Sequence, residues 1–235
     1  MPSQHLDNRR LYRHIADQLM QMIGSGEYPP GTRLPAERDL AAQLGVSRPS
    51  VREALIALEV EGAVEVRGGA GVFVLQTRRN ALADPLAPVP GPFDLIRARW
   101  IIESECASLA ASHATPEQLA GMKRALDDMR GAPSHNEVSL EADQRFHFTI
   151  AEASANSALV MVTRQLWDAR RGPLYMQLES HFSGKEIWRQ AVEEHAEILN
   201  AIVSRDGTAA RNAMRRHMKN AELRFASNWH SGDGP

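Results

Sequence analysis

The seven residues SRPSVRE, at positions 47–53, constrain the fold of the chain more than any other stretch. Ser47 is a favourable helix cap and Pro49 is tolerated in a first helical turn, so the stretch predicts the start of a helix. Arg48 and Arg52 are four residues apart and would share one face of that helix. The opposite face is apolar and consists of Val51, Leu55 and Leu58. A short helix with one apolar face and one arginine-bearing face fits the major groove of DNA.

The residues around this helix predict a winged helix-turn-helix. Apolar residues at helical spacing predict helices over residues 8–24, 36–43 and about 47–61, and Gly45 ends the second helix shortly before the third begins. The segments AVEV and GVFVL then flank the tetrad of residues 68–71, which predicts a β-hairpin. Three helices and a two-stranded wing would therefore form a DNA-binding domain over residues 1–76.

The remainder of the chain predicts a second, all-helical domain. Residues 77–92 contain four prolines and predict a semi-rigid linker. Residues 93–230 show no strand-like alternation, so we expect an antiparallel helical bundle and a mainly α protein. Six helices are predicted in this domain, over residues 93–113, 115–130, 139–154, 156–178, 185–205 and 208–228.

Composition is that of an ordinary globular protein and predicts a cytoplasmic location. The chain of 235 residues has a net charge of −2 and a single cysteine, Cys106, which excludes an internal disulfide framework. There is no apolar run of membrane-spanning length, and the N-terminus lacks the apolar core of a signal peptide. Residues 1–76 hold eight arginines, no lysine and nine acids, so any affinity for DNA must depend on where the arginines are placed.

Those arginines lie where a helix-turn-helix would need them. Arg38 on the second helix and Arg48 and Arg52 on the third would project from one surface, with Arg67 at the entry to the wing. The planar fork of arginine binds guanine O6 and N7, or two phosphate oxygens, at the same time. The alternative is that these arginines only solvate helix faces, but helix, turn, helix and wing occur here in the order that DNA recognition requires.

The segment PPGTRLPAERDLAAQLGVSRPSVREALIALEVEGAVEVRGGAGVFV resembles the DNA-binding domain of the GntR family. The motifs LPAER, GVSR, VREAL and G-x-G-x-F-V carry the resemblance. It implies that the helix arginines contact DNA and that the tip of the wing enters the minor groove. The candidate DNA-binding residues are Arg38, Ser47, Arg48, Ser50, Arg52, Arg67 and Gly69. Many members carry a second basic residue after the arginine of the wing, whereas this chain has Gly68.

A second group of polar residues lies in the helical domain. Asp143 and His147 are four residues apart and share one helix face, and His195 and His217 lie on two later helices. Three imidazoles and one carboxylate suit a divalent transition metal such as Zn, Ni, Mn or Fe. Taken singly, each histidine also fits an ordinary core or surface position.

Residues from about 93 to 224 resemble the all-helical effector-binding domain, the FCD domain, of the FadR-type branch of the GntR family. In many members of that branch a D-x-x-x-H pair and two later histidines hold a metal. The resemblance therefore implies that Asp143, His147, His195 and His217 are metal ligands. The pattern R-x-x-x-E at the start of the domain further implies a contact with a carboxylate effector. The effector-binding candidates are Arg99, Glu103, Asn156 and Arg170.

A narrower resemblance, carried by GPFDLIRARWIIES, FHFTIAEASANSALV and LWDARRGPLYMQLESHF, is to the hexuronate-utilisation repressors of this branch. It implies a sugar acid as effector. The side chains of Trp167, Tyr175 and Trp188 would either stack on the sugar ring or pack in the protein core. The predicted protein is a repressor that binds a palindromic operator as a homodimer. The alternative is a metal sensor without an organic effector.

Enzymatic alternatives lack their motifs. A di-iron bundle would need Glu-x-x-His pairs, but Gln144, Val192 and Met214 stand three residues before the three histidines. The chain has no H-E-x-x-H and no phosphate-binding G-x-x-x-x-G-K-S/T sequence. Cys106 lies among apolar residues of a predicted helix, without a neighbouring base. We therefore do not expect an enzyme.

Overall fold

The computed structural model describes residues 8–75, 90–132, 137–182 and 184–226. These residues form ten helices and one two-stranded sheet, which confirms the predicted mainly α class. The elements in chain order are α1 (Asn8–Gly24), α2 (Glu37–Leu44), α3 (Arg48–Val60), β1 (Val64–Arg67), β2 (Gly71–Val74), α4 (Pro92–His113), α5 (Pro116–Gly131), α6 (Glu137–Ala153), α7 (Ser157–Ala169), α8 (Pro173–His181), α9 (Lys185–Val203) and α10 (Gly207–Ala226).

Helices α1 to α3 form the predicted helix-turn-helix. Gly45 ends α2 in the left-handed conformation, with φ of 66°, which a residue with a side chain rarely adopts. Ser47 then caps α3 by accepting a hydrogen bond from the backbone N–H of Ser50 at 3.3 Å. Helix α3 packs across α1 through fully buried apolar side chains: Ile15, Leu19, Val51, Leu55 and Leu58.

The wing is an antiparallel hairpin in which Val64 pairs with Val74 and Arg67 pairs with Gly71. Each strand lies within one residue of its predicted position. The segment before α2 adds a further row of pairing, because Leu34 donates to the carbonyl of Val72 and Arg33 forms a bridge with Phe73. Apolar residues of both strands are buried on one face of this small sheet, so the other face is left for polar contacts.

The second bundle is built around α4, α5, α6, α9 and α10, with a core of small and flexible side chains such as Ala107, Met122 and Met214. Helix α5 begins with a capping box in which Thr115 and Gln118 satisfy each other's backbone N–H groups. Helix α5 packs against both α6 and α9.

The predicted single helix over residues 156–178 is wrong, because the chain forms two helices there. Helix α7 ends at Ala169 and α8 begins at Pro173. Pro173 lacks a backbone N–H and its ring would clash within a helix interior, so the chain breaks and restarts at this point. The sequence Gly172–Pro173 was the available signal for this break.

The chain divides into two compact units. The first contains the described residues up to Pro92 together with Gly172–His181, and the second contains Phe93–Arg171 and Phe182–Phe225. Helix α8, predicted as part of the helical domain, thus clusters with the first unit. Most of the predicted linker lies outside the described residues, and the predicted domain bounds stay a prediction. Among the described residues, no helix is long and apolar enough to cross a membrane.

Candidate DNA-binding surface and metal centre

Two of the predicted DNA-contacting arginines are on the surface of the helix-turn-helix. The side chain of Arg38 on α2 is 83% exposed and lies 3.3 Å from the neighbouring Asp39. The side chain of Arg48, in the first turn of α3, is 46% exposed and lies 3.9 Å from Glu37. Ser47 and Ser50, whose hydroxyls are 2.8 Å apart, stand beside Arg48 at the start of the helix. Donors are therefore concentrated at the N-terminal end of α3.

Arg52 differs from the sequence-based prediction, which placed it on the same exposed edge. Its side chain is only 1% exposed and forms an ion pair with the buried carboxylate of Glu37. Nε of Arg52 donates to Oε1 at 2.6 Å, and Nη2 donates to Oε2. The fork of Arg52 thus joins α3 to the start of α2. A contact with DNA would require this buried pair to open, so Arg52 serves the fold in this structure.

The predicted wing residues lie at or beside the turn of the hairpin. Gly69 is exposed and has a φ of 72°, a conformation in which glycine is favoured. Arg67 is half exposed, but its guanidinium forms an ion pair with Glu65 at 2.7 Å. The same guanidinium also lies over the ring of Phe73, 4.5 Å from its centroid. Arg67 is therefore folded back along the strand, with its guanidinium beside a carboxylate.

The four predicted metal ligands come together from three helices. Asp143 and His147 project from α6, His195 from α9 and His217 from α10, and all four residues are buried. One nitrogen from each histidine lies within 4.8 Å of those of the other two. Nε2 of His147 is 3.1 Å from Nε2 of His195, and Oδ1 of Asp143 is 3.0 Å from the latter. Residues separated by more than seventy positions thus face a single point in the core of the second unit.

Each histidine is held by an acceptor at its Nδ1 atom. Nδ1 of His195 lies 2.6 Å from the carbonyl oxygen of Ala191, which can only accept a hydrogen bond. Nδ1 of His217 lies 2.7 Å from a carboxylate oxygen of Glu194, and Nδ1 of His147 contacts Glu103. Because each acceptor requires the proton on Nδ1, the neutral rings present their Nε2 lone pairs to the shared point.

This arrangement calls for a cation. With both rings neutral, the Nε2 lone pairs of His147 and His195 are 3.1 Å apart and repel each other, and the carboxylate oxygen of Asp143 beside them adds a further acceptor. Oδ1 of Asp143 is buried and, among the described residues, receives no hydrogen bond of good geometry. A buried acceptor without a donor is costly. A divalent metal would satisfy all of these atoms at once, so the residues present fit a metal of the zinc, nickel, manganese or iron class.

The pKa shifts of these groups have the same physical origin. Burial alone would raise the pKa of Asp143, but its contacts with His147 and His195 outweigh burial and hold the pKa well below its usual value. Burial alone would lower the pKa of His147, but the charges of Glu103 and Asp143 outweigh it and raise the pKa. Burial and the neighbouring His195 lower the pKa of His217 to about 3. A site that draws a proton onto His147 attracts a metal cation for the same reason.

Glu103 and Arg99, predicted to bind an effector, are occupied with each other. Nε of Arg99 donates to Oε1 of Glu103 at 2.6 Å, and Nε1 of Trp167 donates to the same oxygen at 3.1 Å. The other oxygen of Glu103 contacts His147. Burial would raise the pKa of Glu103, but the positive charges of Arg99 and His147 hold it well below its usual value. In this structure Glu103 therefore orients a candidate ligand, and the effector contact by Arg99 stays a prediction.

Arg170 joins the site, whereas Asn156 does not. Nη1 of Arg170 lies 3.5 Å from Oδ2 of Asp143, and its guanidinium lies 4.2 Å from the ring centroid of Trp167. Arg99 approaches the same ring at 4.3 Å, so two guanidiniums contact Trp167. Asn156 is exposed and its side-chain oxygen caps α7 by accepting from the backbone N–H groups of Ala158 and Leu159. The prediction that Asn156 lines the site is not supported by its position.

Sequence reasoning missed the role of Glu194. Its carboxylate contacts His217 and also accepts from Asn220 at 2.8 Å and from Arg224 at 2.9 Å. Burial would raise its pKa, but the hydrogen bonds from His217 and Arg224 lower it to about 2. Glu194 precedes His195 directly, yet adjacent helical residues point about 100° apart, and spacing alone did not place it beside His217.

The other aromatic candidates and the cysteine are buried in the protein. Trp188 is buried and donates to the carbonyl of Met129 at 3.1 Å, and Tyr175 is buried on α8. Of the three predicted stacking aromatics, only Trp167 reaches the site. Cys106 is buried as expected, and burial raises the pKa of its thiol to about 11, which removes it as a nucleophile.

Two protein families match separate parts of the chain, and these parts correspond to the two regions indicated by the sequence motifs. Residues 11–74 match the gntR family of bacterial regulatory proteins, and residues 94–220 match the FCD domain. The second match alone spans more than half of the chain. The candidate metal ligands all lie within it, and the helix-turn-helix and wing lie within the first.

Characterised relatives are similar over nearly the whole chain. The Uxu operon transcriptional regulator of Escherichia coli K12 is 40% identical over 224 residues, which is 92% of this chain and 87% of the relative. The Exu regulon transcriptional regulator of the same organism is 37% identical over 222 residues, 92% of this chain and 84% of the relative. A GntR-family transcriptional regulator from Pseudomonas syringae pv. tomato has the same fold, with a TM-score of 0.50 at 21% identity, over 92% of this chain and 84% of that one.

Proposed function

Because the chain belongs to the GntR family of transcriptional regulators and carries an FCD domain, we propose that it represses a hexuronate catabolic operon in response to a sugar-acid effector. The observation that carries the proposal is the pairing of a DNA-binding unit with a buried Asp–His₃ cluster that fits a metal. The regulator acts in the cytoplasm as a homodimer on a palindromic operator, since two heads on a two-fold axis read two half-sites.

The DNA-reading role rests on Arg48. It is exposed at the N-terminal end of α3, the part of a recognition helix that contacts base edges in the major groove. Ser47 and Ser50 lie in the same turn as further donors, and Arg38 on α2 supplies a second exposed cation. Arginine at such a position binds guanine through two donors, and phosphates through one or two.

Replacing Arg48 with alanine should cost about 1–3 kcal/mol of specific binding for every copy bound to DNA, because a forked base contact is lost. The measurement is a gel-shift titration with a duplex that the wild-type protein selects from a random pool. Arg145→Ala is the matched control, since Arg145 is an exposed arginine of α6 with one exposed partner, Asp128. Wild-type affinity of Arg48→Ala for the selected duplex would show that the recognition-helix assignment is wrong.

The metal proposal rests on the convergence of one nitrogen from each of three histidines and a buried Asp143 oxygen that, among the described residues, has no hydrogen-bond partner. Asp143, His147, His195 and His217 would hold one divalent transition metal. When bound, such a metal supplies a positive charge to which carboxylate and hydroxyl oxygens of an effector can attach. Glu103, Glu194 and the carbonyl of Ala191 fix the imidazole orientations in advance.

The effector proposal rests on the chemistry around that point. Arg170 lies against both Asp143 and the face of Trp167, which places a guanidinium and an aromatic surface beside the candidate metal. A guanidinium binds a carboxylate through two parallel hydrogen bonds, so the carboxylate of a sugar acid matches Arg170. The relatives named for the Uxu operon and the Exu regulon favour hexuronates among sugar acids.

Thermal unfolding of metal-loaded protein tests the effector. Glucuronate or galacturonate at about 100 times its dissociation constant should stabilise the second unit by about 2.7 kcal/mol, whereas neutral glucose should not. Arg170→Met should lose this stabilisation, and Arg171→Met, a change at the exposed neighbouring arginine, should keep it. If metal alone changed DNA binding and no sugar acid shifted the melting temperature, the protein would be a metal sensor without an organic effector.

A further inference from the structure

The outer face of the wing carries two guanidiniums with different surroundings. Cross-strand pairing places Glu65 opposite Phe73 and Arg67 opposite Gly71 on this face. Arg33, from the segment before α2, forms a bridge with Phe73 and so extends the same face by one row. Arg33 is exposed. Arg33 and Arg67 therefore flank β2 from opposite sides.

The two side chains run in opposite directions along the sheet. Arg67 lies over the ring of Phe73, away from the turn, and its charge is paired with Glu65 at 2.7 Å. Arg33 instead extends from the level of Phe73 toward Gly71, which is two residues nearer the turn. A Cβ atom added to Gly71 would lie 2.4 Å from Nε of Arg33, so the guanidinium crosses the glycine where a side chain would block it. The positions next to the turn are thus occupied by Arg33.

The two guanidiniums also differ in their acidic neighbours. Within the part of the chain that the structure describes, Arg33 has no carboxylate within ion-pair distance, whereas the charge of Arg67 is compensated by Glu65. A cation without an acidic partner loses less on contacting a phosphate, because no existing ion pair has to be broken first. Arg33 therefore presents the more available positive charge beside the turn of the wing.

We propose that Arg33, rather than Arg67, makes the phosphate contact of the wing when the protein is bound to DNA. The proposal rests on the DNA-binding role argued above and assigns one contact within it. The absence of a side chain at Gly71 leaves room for the Arg33 side chain to lie across the strand. A phosphate contact of this kind adds affinity for any sequence and positions the wing without reading bases.

The test measures DNA affinity of full-length variants between 50 and 200 mM salt. The probes are a duplex selected by the wild-type protein from a random pool and a duplex of unrelated sequence. Arg33→Gln should weaken binding to both duplexes by the same factor, about tenfold, because a charged phosphate contact is lost. It should also reduce the slope of log affinity against log salt by about 0.9 per bound copy. Arg33→Lys should restore most of the slope, and Arg67→Gln should reduce it less than Arg33→Gln does.

Several results would overturn the assignment. They are an unchanged salt slope in Arg33→Gln, equal losses in Arg33→Gln and Arg67→Gln, or a loss confined to the selected duplex. Arg33→Met is measured in parallel as a second variant that lacks the charge. Circular dichroism and the melting temperature show which of the two variants is correctly folded. Arg48→Ala distinguishes a failure of the proposed DNA-binding surface from a failure of the Arg33 contact alone. If it too binds both duplexes as the wild type does, the DNA-binding surface is misplaced; if only the Arg33 variants do, this proposal alone fails.

Discussion

Replacing Glu37 with alanine is expected to lower the unfolding free energy of the first unit by about 3–5 kcal/mol, because it removes one side of a buried ion pair. Arg52 is 1% exposed and directs two donors at the two oxygens of Glu37. The effect should be seen as faster hydrogen exchange at the backbone amides of α3, which reports opening of this unit by itself.

Asp39→Ala is the matched control for this change. Asp39 lies in the same first turn of α2, but it is exposed and contacts only the exposed Arg38. Its removal should cost less than about 1 kcal/mol, as for other surface pairs. Replacing both Glu37 and Arg52 with apolar residues should recover most of the lost stability, since no unpaired charge is then buried. Equal effects of Glu37→Ala and Asp39→Ala would contradict the structural role given to the buried pair.

Replacing His195 with alanine is expected to weaken metal binding by more than about 100-fold. Changing a residue that merely orients a ligand typically costs 10–100-fold, and His195 is itself placed to donate a lone pair. Its Nε2 lies 3.1 Å from that of His147 and 3.0 Å from Asp143, so it is central to the cluster. The measurement is metal content after dialysis, together with competition against a chromogenic chelator.

His113→Ala provides the control, because His113 is exposed in the last turn of α4. It should retain the wild-type metal content. A chelator should lower the melting temperature of the wild type and of His113→Ala but leave that of His195→Ala unchanged, since a bound metal stabilises only the folded state. One tightly bound metal per chain in His195→Ala would show that the four residues do not form the proposed site.

The winged helix-turn-helix could be predicted closely because its determinants are local. Gly45, Ser47 and the alternation of VEV and GVFV each fix the backbone within a few residues of themselves. The burial of Arg52 could not be predicted in the same way. It depends on Glu37, fifteen residues earlier on another helix, and helical spacing says only which residues share a face.

In the second unit, too, local features could be predicted from the sequence and contacts between distant residues could not. The i, i+4 spacing of Asp143 and His147 predicts a shared face, but their meeting with His195 and His217 depends on how α6, α9 and α10 pack. The residue types suggested that grouping, and the resemblance to a family strengthened it. The carboxylates that orient the histidines, Glu103 and Glu194, needed the three-dimensional arrangement. Asn156 caps α7 in the structure, and an asparagine before a helix is explained as well by capping as by binding, so its effector contact stays a prediction.

The central claim is that DNA binding by the first unit responds to a sugar acid held at the metal centre of the second. The most direct measurement is the dissociation constant of metal-loaded protein for its selected duplex, with and without glucuronate or galacturonate. We predict a change of about 5–150-fold with at least one of these hexuronates in the wild type, and no change in His195→Ala. An identical dissociation constant under all conditions, or a hexuronate response that persists in His195→Ala, would contradict the claim.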